Sequence, residues 1–502
     1  MDRIADLPLN DLRRLINDLG KDGGLMGPSV YDTAQVLRMA PPAEGVRPAL
    51  EWLLTRQHTD GGWGNPAVPR SRDVPTLAAI LALHTYSASE RDRQAIQAGL
   101  AFLQRQAEHW AGCLPDDLPV GVELILPQLL DEAAAAGLKV SREPYQALIA
   151  LGMRRRRMLA SLPLQPGTTP VHAWEAWGRG PDPALLDAPG SIGHSPAATA
   201  AWLRAATQRA DLADACAMAQ RYLEQAAAST GTGIPGVVPT AWPITRFEQA
   251  FSLYALLIGG LMDHPALDDV VRAQVDGLAR ALRPEGLGFS DFFIPDGDDT
   301  AEALAVLSAT GRPADRGILK RFAQDDHFYT YPGELQPSIT ATAHAIHALA
   351  LSGEACERPL EYLLERQLPD GRWPGDKWNG SWLYATCQVV IALLGSPYQG
   401  ALRRALDALL AHQHADGGWG MYTSTAEETA YGIFILRHLL RDGLLDPAAC
   451  QALRRAERWM LNDYQTSRAR EDICWLAKEL YRPYRLARVI ELVATVPCVE
   501  AA

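Results

Sequence analysis

The chain has 502 residues, 48% hydrophobic and 21% charged, a globular composition long enough to build two or three cores. Its formal net charge of −12 excludes a broad nucleic-acid-binding face, so an anionic ligand needs a local basic site or a metal ion. The seven cysteines are widely spaced and form no Cys-x-x-Cys pair, which predicts reduced thiols, a cytoplasmic protein and no zinc site.

In chain order, residues 1–20 are charged and helix-periodic and lack the apolar centre of a signal peptide. No apolar run further on approaches the ~18 residues of a membrane span. Residues 200–228, 339–351 and 429–440 carry apolar side chains at three- and four-residue spacing, and strand-like alternation is scarce. This predicts an all-α fold. A repeat punctuates it: Gln57-His-Thr-Asp60-Gly-Gly-Trp63-Gly64 recurs as Gln367-Leu-Pro-Asp370-Gly-Arg-Trp373-Pro374 and as Gln413-His-Ala-Asp416-Gly-Gly-Trp419-Gly420. The last two begin 46 residues apart (413 − 367), about one two-helix unit. Asp-Gly suits a turn needing positive φ, and the tryptophan can pin that turn to a neighbouring helix. The repeats therefore predict stacked helical hairpins and no chemistry of their own. Residues 229–243, rich in Gly, Pro and Thr, mark a junction between two helical domains.

Chemistry concentrates at Ile294-Pro295-Asp296-Gly297-Asp298-Asp299-Thr300-Ala301-Glu302. Clustered aspartates oppose one another's ionisation, so one can keep its proton near neutral pH. In a dry pocket such a carboxyl is an acid for a very weak base. The same run also reads as a helix N-cap or as an acidic turn for a cation, and the residues alone leave these readings open. Thirteen tryptophans and fifteen tyrosines supply aromatic faces that stabilise cations.

The Gln-x-x-Asp-Gly-x-Trp repeats together with Asp-x-Asp-Asp resemble the class II terpene cyclases. Further matches narrow the resemblance to bacterial class II diterpene cyclases of the ent-copalyl diphosphate synthase type. They are Pro28-Ser-Val-Tyr31-Asp32-Thr33-Ala34, Pro119-Val-Gly-Val-Glu123-Leu-Ile-Leu-Pro127, His172-Ala-Trp174-Glu175-Ala-Trp177, Ser195-Pro-Ala-Ala-Thr199-Ala200, Asp376-Lys377-Trp378 and Glu427-Glu428-Thr429-Ala430-Tyr431. The resemblance implies two α-barrel (α/α toroid) domains, β and γ. The N-terminal helix of β would occupy 1–44, the inserted γ domain 45–224, and the rest of β, carrying the acid, 225–502.

It also implies conversion of geranylgeranyl diphosphate into a bicyclic copalyl-type diphosphate, begun by protonation and with the diphosphate retained. Asp298 matches the family's acid, with Asp296 and Asp299 as tuning neighbours. Gln336 stands where relatives carry an asparagine that supports the acid. His172 matches the histidine of a water-holding pair that ends the reaction, but Thr240 stands where its asparagine partner falls. That departure opens a rearranged halimadienyl- or kolavenyl-type product. Arg154, Arg155, Lys377 and Lys478 fall in motifs that contact diphosphate, and Asp116, Asp117 and Glu123 in one associated with Mg²⁺. Further readings are a farnesyl diphosphate cyclase giving a drimenyl product and a squalene-type triterpene cyclase. A class I synthase is disfavoured, because Asn462-Asp463-Tyr-Gln-Thr466 leads to Arg470 where that class needs a glutamate. The expected partners are the prenyl diphosphate and a downstream class I terpene synthase.

Overall fold

The computed structural model describes residues 2–115, 118–332, 334, 336–354, 356–444, 446–466 and 473–500. The fold is all-α. Among the described residues its strands are two-residue pairs, Leu287–Gly288 with Pro295–Asp296 and Trp475–Leu476 with Leu480–Tyr481. Helix α1 (Asp2–Asp18) comes first. Then α2 (Val30–Met39), α3 (Asp73–Tyr86), α4 (Val122–Ala135), the 3-10 turn Trp174–Ala176 and α6 (Pro196–Ala206) pack in succession and close a small ring, with α5 (Gln146–Leu159) against α4.

Among the described residues, six helices close a larger ring: α7 (Thr245–Gly259), α9 (Gly297–Ala309), α10 (Ile339–Ala350), α11 (Trp382–Leu393), α12 (Ala426–Arg441) and α14 (Tyr484–Glu500). Each packs on the next, and α14 returns to α7. A second layer includes α8 (Asp268–Ala281), α13 (Pro447–Thr466) and α1. Sequence sorts the layers. Every residue of α11 from Leu383 to Leu393 is buried, as an inner helix apolar on all sides requires, whereas α8 buries only Val270, Val271, Val275 and Leu278 along one stripe.

One apolar cluster joins Leu12–Met26 of the N-terminus to residues 244–496, and two others hold residues 30–242. The change of core therefore falls between Met26 and Val30 and between Trp242 and Ile244. These points lie inside the first and last of the three expected segments.

The three repeats form one clasp. Trp63, Trp373 and Trp419 are fully buried, and each donates Nε1–H to a carbonyl of the preceding helix: Leu53 at 2.7 Å, Leu363 at 2.6 Å and Leu409 at 2.9 Å. Their backbone amides bond Thr76, Thr386 and Thr429. Gln57, Gln367 and Gln413 each tie their own turn to the following helix through Ala95, Ala401 and Ala452 carbonyls. The turn requires glycine: Gly371 has φ +96°, and a Cβ there would overlap the Arg404 carbonyl. Among the described residues, no helix is long and apolar enough to cross a membrane.

Candidate active site

The acidic run caps an inner helix. Asp296 is the N-cap of α9, and its Oδ1 accepts from the amides of Asp298 (3.0 Å) and Asp299 (2.8 Å). Gly297 is needed between them, since a Cβ would overlap the Tyr329 carbonyl. Asp298 and Asp299 thus enter the first turn, 6% and 2% exposed. Burial pushes the Asp296 and Asp299 carboxyls well above the usual carboxylate range. In each, a neighbouring acid adds to the effect: Asp299 acts on Asp296, and Glu302 acts on Asp299. Among the described residues, Asp296 Oδ2 and Asp299 Oδ1 have no hydrogen-bond partner. Capping and acid crowding are therefore one arrangement and not rivals.

Asp298 Oδ1 meets His344 Nδ1 at 2.6 Å. Gln336, expected to support the acid, lines the cavity, but among the described residues its side-chain amide forms no hydrogen bond to Asp298; its main-chain carbonyl accepts from the Lys377 ammonium. His344 takes the supporting place from the middle of α10, where Ser338 caps the helix and bonds Asp376.

These carboxyls open into a cavity of about 550 Å³ between the two rings. Phe247, Phe251, Phe289 and Trp475 pack into one wall, with Phe247 and Phe251 5.4 and 5.5 Å from Trp475. Phe293, Tyr331 and Trp378 form another: Phe293 is 6.2 Å from Tyr331, which is 5.9 Å from Trp378. Such faces stabilise a cation by roughly 0.5–2 kcal/mol each. Of the other aromatics near matching motifs, Phe292 is exposed, Trp382 packs on His412, and Tyr384 lies behind His344. A depression of about 670 Å³ on the outer surface, lined by Arg246, Arg280 and Arg283, contains none of the expected residues.

His172 also lines the cavity. Its Nδ1 lies 2.8 Å from the Gly193 carbonyl, which only accepts, so Nδ1 carries the hydrogen and Nε2 is left as an acceptor. Burial, then the Lys478 charge, lowers its pKa to about 3, so the ring is neutral. Thr240 is fully buried, its hydroxyl has no partner among the described residues, and its neighbour Ala241 lines the cavity in its place. Among the described residues, no hydrogen bond joins Thr240 to His172.

The four expected cations separate. Arg155 and Lys377 line the cavity. Lys377 pairs with Glu334 at 2.6 Å; its pKa is lowered first by burial, and the Arg155 charge adds to this, so the two cations face common ground. Arg154, on the same helix as Arg155, is exposed and does not line the cavity. Lys478 does not line the cavity. It is wholly buried, bonded to Glu175 (2.6 Å) and Ser195 (2.6 Å) and 3.9 Å from Asp32. Tyr31 also donates to Glu175, so three matched motifs meet in one ionic knot. Of the carboxylates associated with metal, Glu123 lines the cavity 3.7 Å from Arg155, while Asp116 and Asp117 lie outside the described residues. Among the described residues, no three metal-ligating side chains cluster.

The toroid, with its acidic and aromatic cavity, defines a terpene cyclase of the protonation-initiated class. Residues 335–433 match the squalene-hopene cyclase C-terminal domain. The chain is 49% identical to the (+)-kolavenyl diphosphate synthase of Herpetosiphon aurantiacus, over 98% of both chains. It is 34% identical to an ent-copalyl diphosphate synthase of a Streptomyces species, over 95% of this chain and 93% of that one. The ent-copalyl diphosphate synthase structure from Streptomyces platensis superposes with a TM-score of 0.80 at 30% identity, covering 99% of this chain and 100% of that one. The chain belongs to the class II diterpene cyclases.

Proposed function

We propose that this cyclase converts geranylgeranyl diphosphate into a rearranged bicyclic diphosphate of kolavenyl type, with Asp298 as the general acid. The observation that carries the acid is its geometry: Asp298 lines the aromatic cavity, and its Oδ1 is occupied by His344. Its proton then sits on Oδ2, free to reach the terminal alkene, while the crowded Asp296 and Asp299 disfavour a further negative charge beside it. Protonation gives a tertiary cation, the neighbouring alkenes close two rings, and the aromatic walls shield the charge. His172 Nε2 is the acceptor available to a water that removes the last proton.

Two observations support rearrangement over direct proton loss. Thr240 is buried off the cavity and does not join His172, so a base close to the first bicyclic cation is incomplete. The relative at 49% identity bears the kolavenyl name. A cation left undeprotonated moves by hydride and methyl shifts until it reaches an acceptor.

Arg155 and Lys377 are assigned to the diphosphate. Glu123 is a hard oxygen donor beside them, which fits Mg²⁺ shared between a carboxylate and phosphate oxygens. When bound, the ion would neutralise diphosphate charge. In the same reading the small ring is the γ domain and the large ring with α1 the β domain. A product that keeps its diphosphate is a fit substrate for an enzyme that ionises it, a class I synthase.

The test is incubation with geranylgeranyl or farnesyl diphosphate and Mg²⁺, followed by dephosphorylation and identification of the alcohol. The proposal expects a kolavenyl-type C20 alcohol. A copalyl skeleton overturns the rearrangement, and faster turnover of farnesyl diphosphate to a drimenyl alcohol overturns the substrate.

A further inference from the structure

Behind the acid, three buried groups stand in a row. His344 Nδ1 is 2.6 Å from Asp298 Oδ1, and His344 Nε2 is 3.4 Å from Glu302 Oε1. The His344 and Glu302 side chains are 0% and 1% exposed, and neither lines the cavity. Glu302 lies one helical turn beyond Asp298 on α9, so the two carboxyls share a face and bracket the imidazole of α10. Three aromatic rings fix that imidazole: Tyr254 at 5.1 Å, Phe251 at 6.0 Å and Tyr384 at 6.2 Å. The ring position is settled by packing. What packing leaves open is which ring nitrogen carries hydrogen.

That choice decides whether Asp298 can act. With hydrogen on Nδ1, the imidazole donates to Oδ1 and the Asp298 proton stays on Oδ2. With hydrogen on Nε2 alone, Nδ1 is a lone pair, and it takes the Asp298 O–H as its own hydrogen bond, which turns the acid proton away from the substrate. The group nearest Nε2 therefore sets the acid. Burial, with the charges of Asp298 and Asp296 adding to it, pushes the Glu302 carboxyl well above the usual carboxylate range, which favours its protonated form. Among the described residues, His344 Nε2 and Glu302 Oε2 form no hydrogen bond, and the 3.4 Å approach of Glu302 Oε1 puts that carboxyl next to the open Nε2 without yet bonding it. A buried carboxyl with an unsatisfied oxygen is costly to keep, and a leucine of similar size would fill the space without that cost.

We propose that Glu302 is a positioning residue for the reaction: by offering its proton to His344 Nε2 it holds the imidazole as an Nδ1–H donor, and so keeps the Asp298 proton on the oxygen that faces the substrate. The inference rests on Asp298 being the acid. With all three protons in place, Asp298, His344 and Glu302 carry no net charge, as a dry interior favours.

The test compares Glu302→Leu, Glu302→Gln and, beside them, Asp298→Asn, each with geranylgeranyl diphosphate. Glu302→Leu should leave thermal stability equal or higher and KM unchanged, while kcat falls about 100-fold, the scale of a mis-set general acid. Glu302→Gln, whose amide can still donate to Nε2, should recover most of that loss. A core-filling role would give the opposite pattern, with kcat kept and stability moved. The proposal is overturned if Glu302→Leu keeps kcat within about threefold, if Glu302→Gln is as slow as Glu302→Leu, or if KM rises in step. Should the leucine variant not fold, Glu302→Met is read the same way. An active Asp298→Asn would instead refute the acid assignment, which separates the two failures.

Discussion

Asp296, Asp298, Asp299 and Glu302 lie within two turns of one helix end, with burial opposing ionisation at three of them. At the residue scale the diphosphate end gives two contrasting expectations. Arg155→Ala should raise KM for the prenyl diphosphate about ten- to a hundredfold, the loss of one charge-assisted contact, as initial-rate kinetics would show. Lys478→Met should leave KM in the folded fraction unchanged but lower stability by about 3–5 kcal/mol in urea unfolding, because Glu175 would be buried without its cation. The Asp-x-Asp-Asp run was legible in the sequence because a helix start is a local event. His344 was not: it meets Asp298 across 46 residues of chain, and a lone histidine on an apolar helix carries no spacing signal. The setting of Lys478 was hidden for the same reason, since its partners Glu175 and Ser195 come from distant turns.

At the element scale the repeats show why inner helices stay in register. Each glutamine and tryptophan ties a turn to the helices before and after it, so the hairpins are linked by directed bonds as well as apolar contact. Trp419→Phe keeps most of the ring but removes the donor to the Leu409 carbonyl, and should cost about 1–3 kcal/mol by chemical denaturation with kcat per folded molecule unchanged. The repeat was legible because turn, cap and tryptophan recur at fixed offsets, and helical periodicity gave the α class. Helix order around each ring was not, because an inner helix apolar on all sides does not say which neighbours it meets. The four arginines of α5 illustrate the limit. The helix turns Arg154 outward and Arg155 to the cavity, a distinction set by how α5 lies on α4.

At the scale of the whole molecule, the many buried carboxyls tie stability to pH. Burial pushes Asp32 up to about 6, Asp73 and Glu427 to about 7, and Glu479 to about 8. A raised folded pKa means that the folded state holds more protons than the unfolded chain. That stabilisation is complete below the ordinary carboxylate range of about 4 and is lost as pH rises through 6 to 8. Scanning calorimetry should therefore show Tm falling from pH 5 to pH 9, with a shallower fall in Asp73→Asn. The two rings also place Asp298, Arg155 and Lys377 around one cavity between them, which neither ring builds alone. The central claim is that Asp298 begins the reaction by protonating an alkene while the diphosphate stays in place. The most direct measurement is turnover of geranylgeranyl diphosphate in D₂O by the wild type and by folded Asp298→Asn. The account predicts one deuterium in a bicyclic product from the wild type, no release of inorganic diphosphate, and a rate at least about 10²–10⁴-fold lower in the variant. Unlabelled product, released diphosphate, or an Asp298→Asn protein that cyclises at the wild-type rate would contradict it.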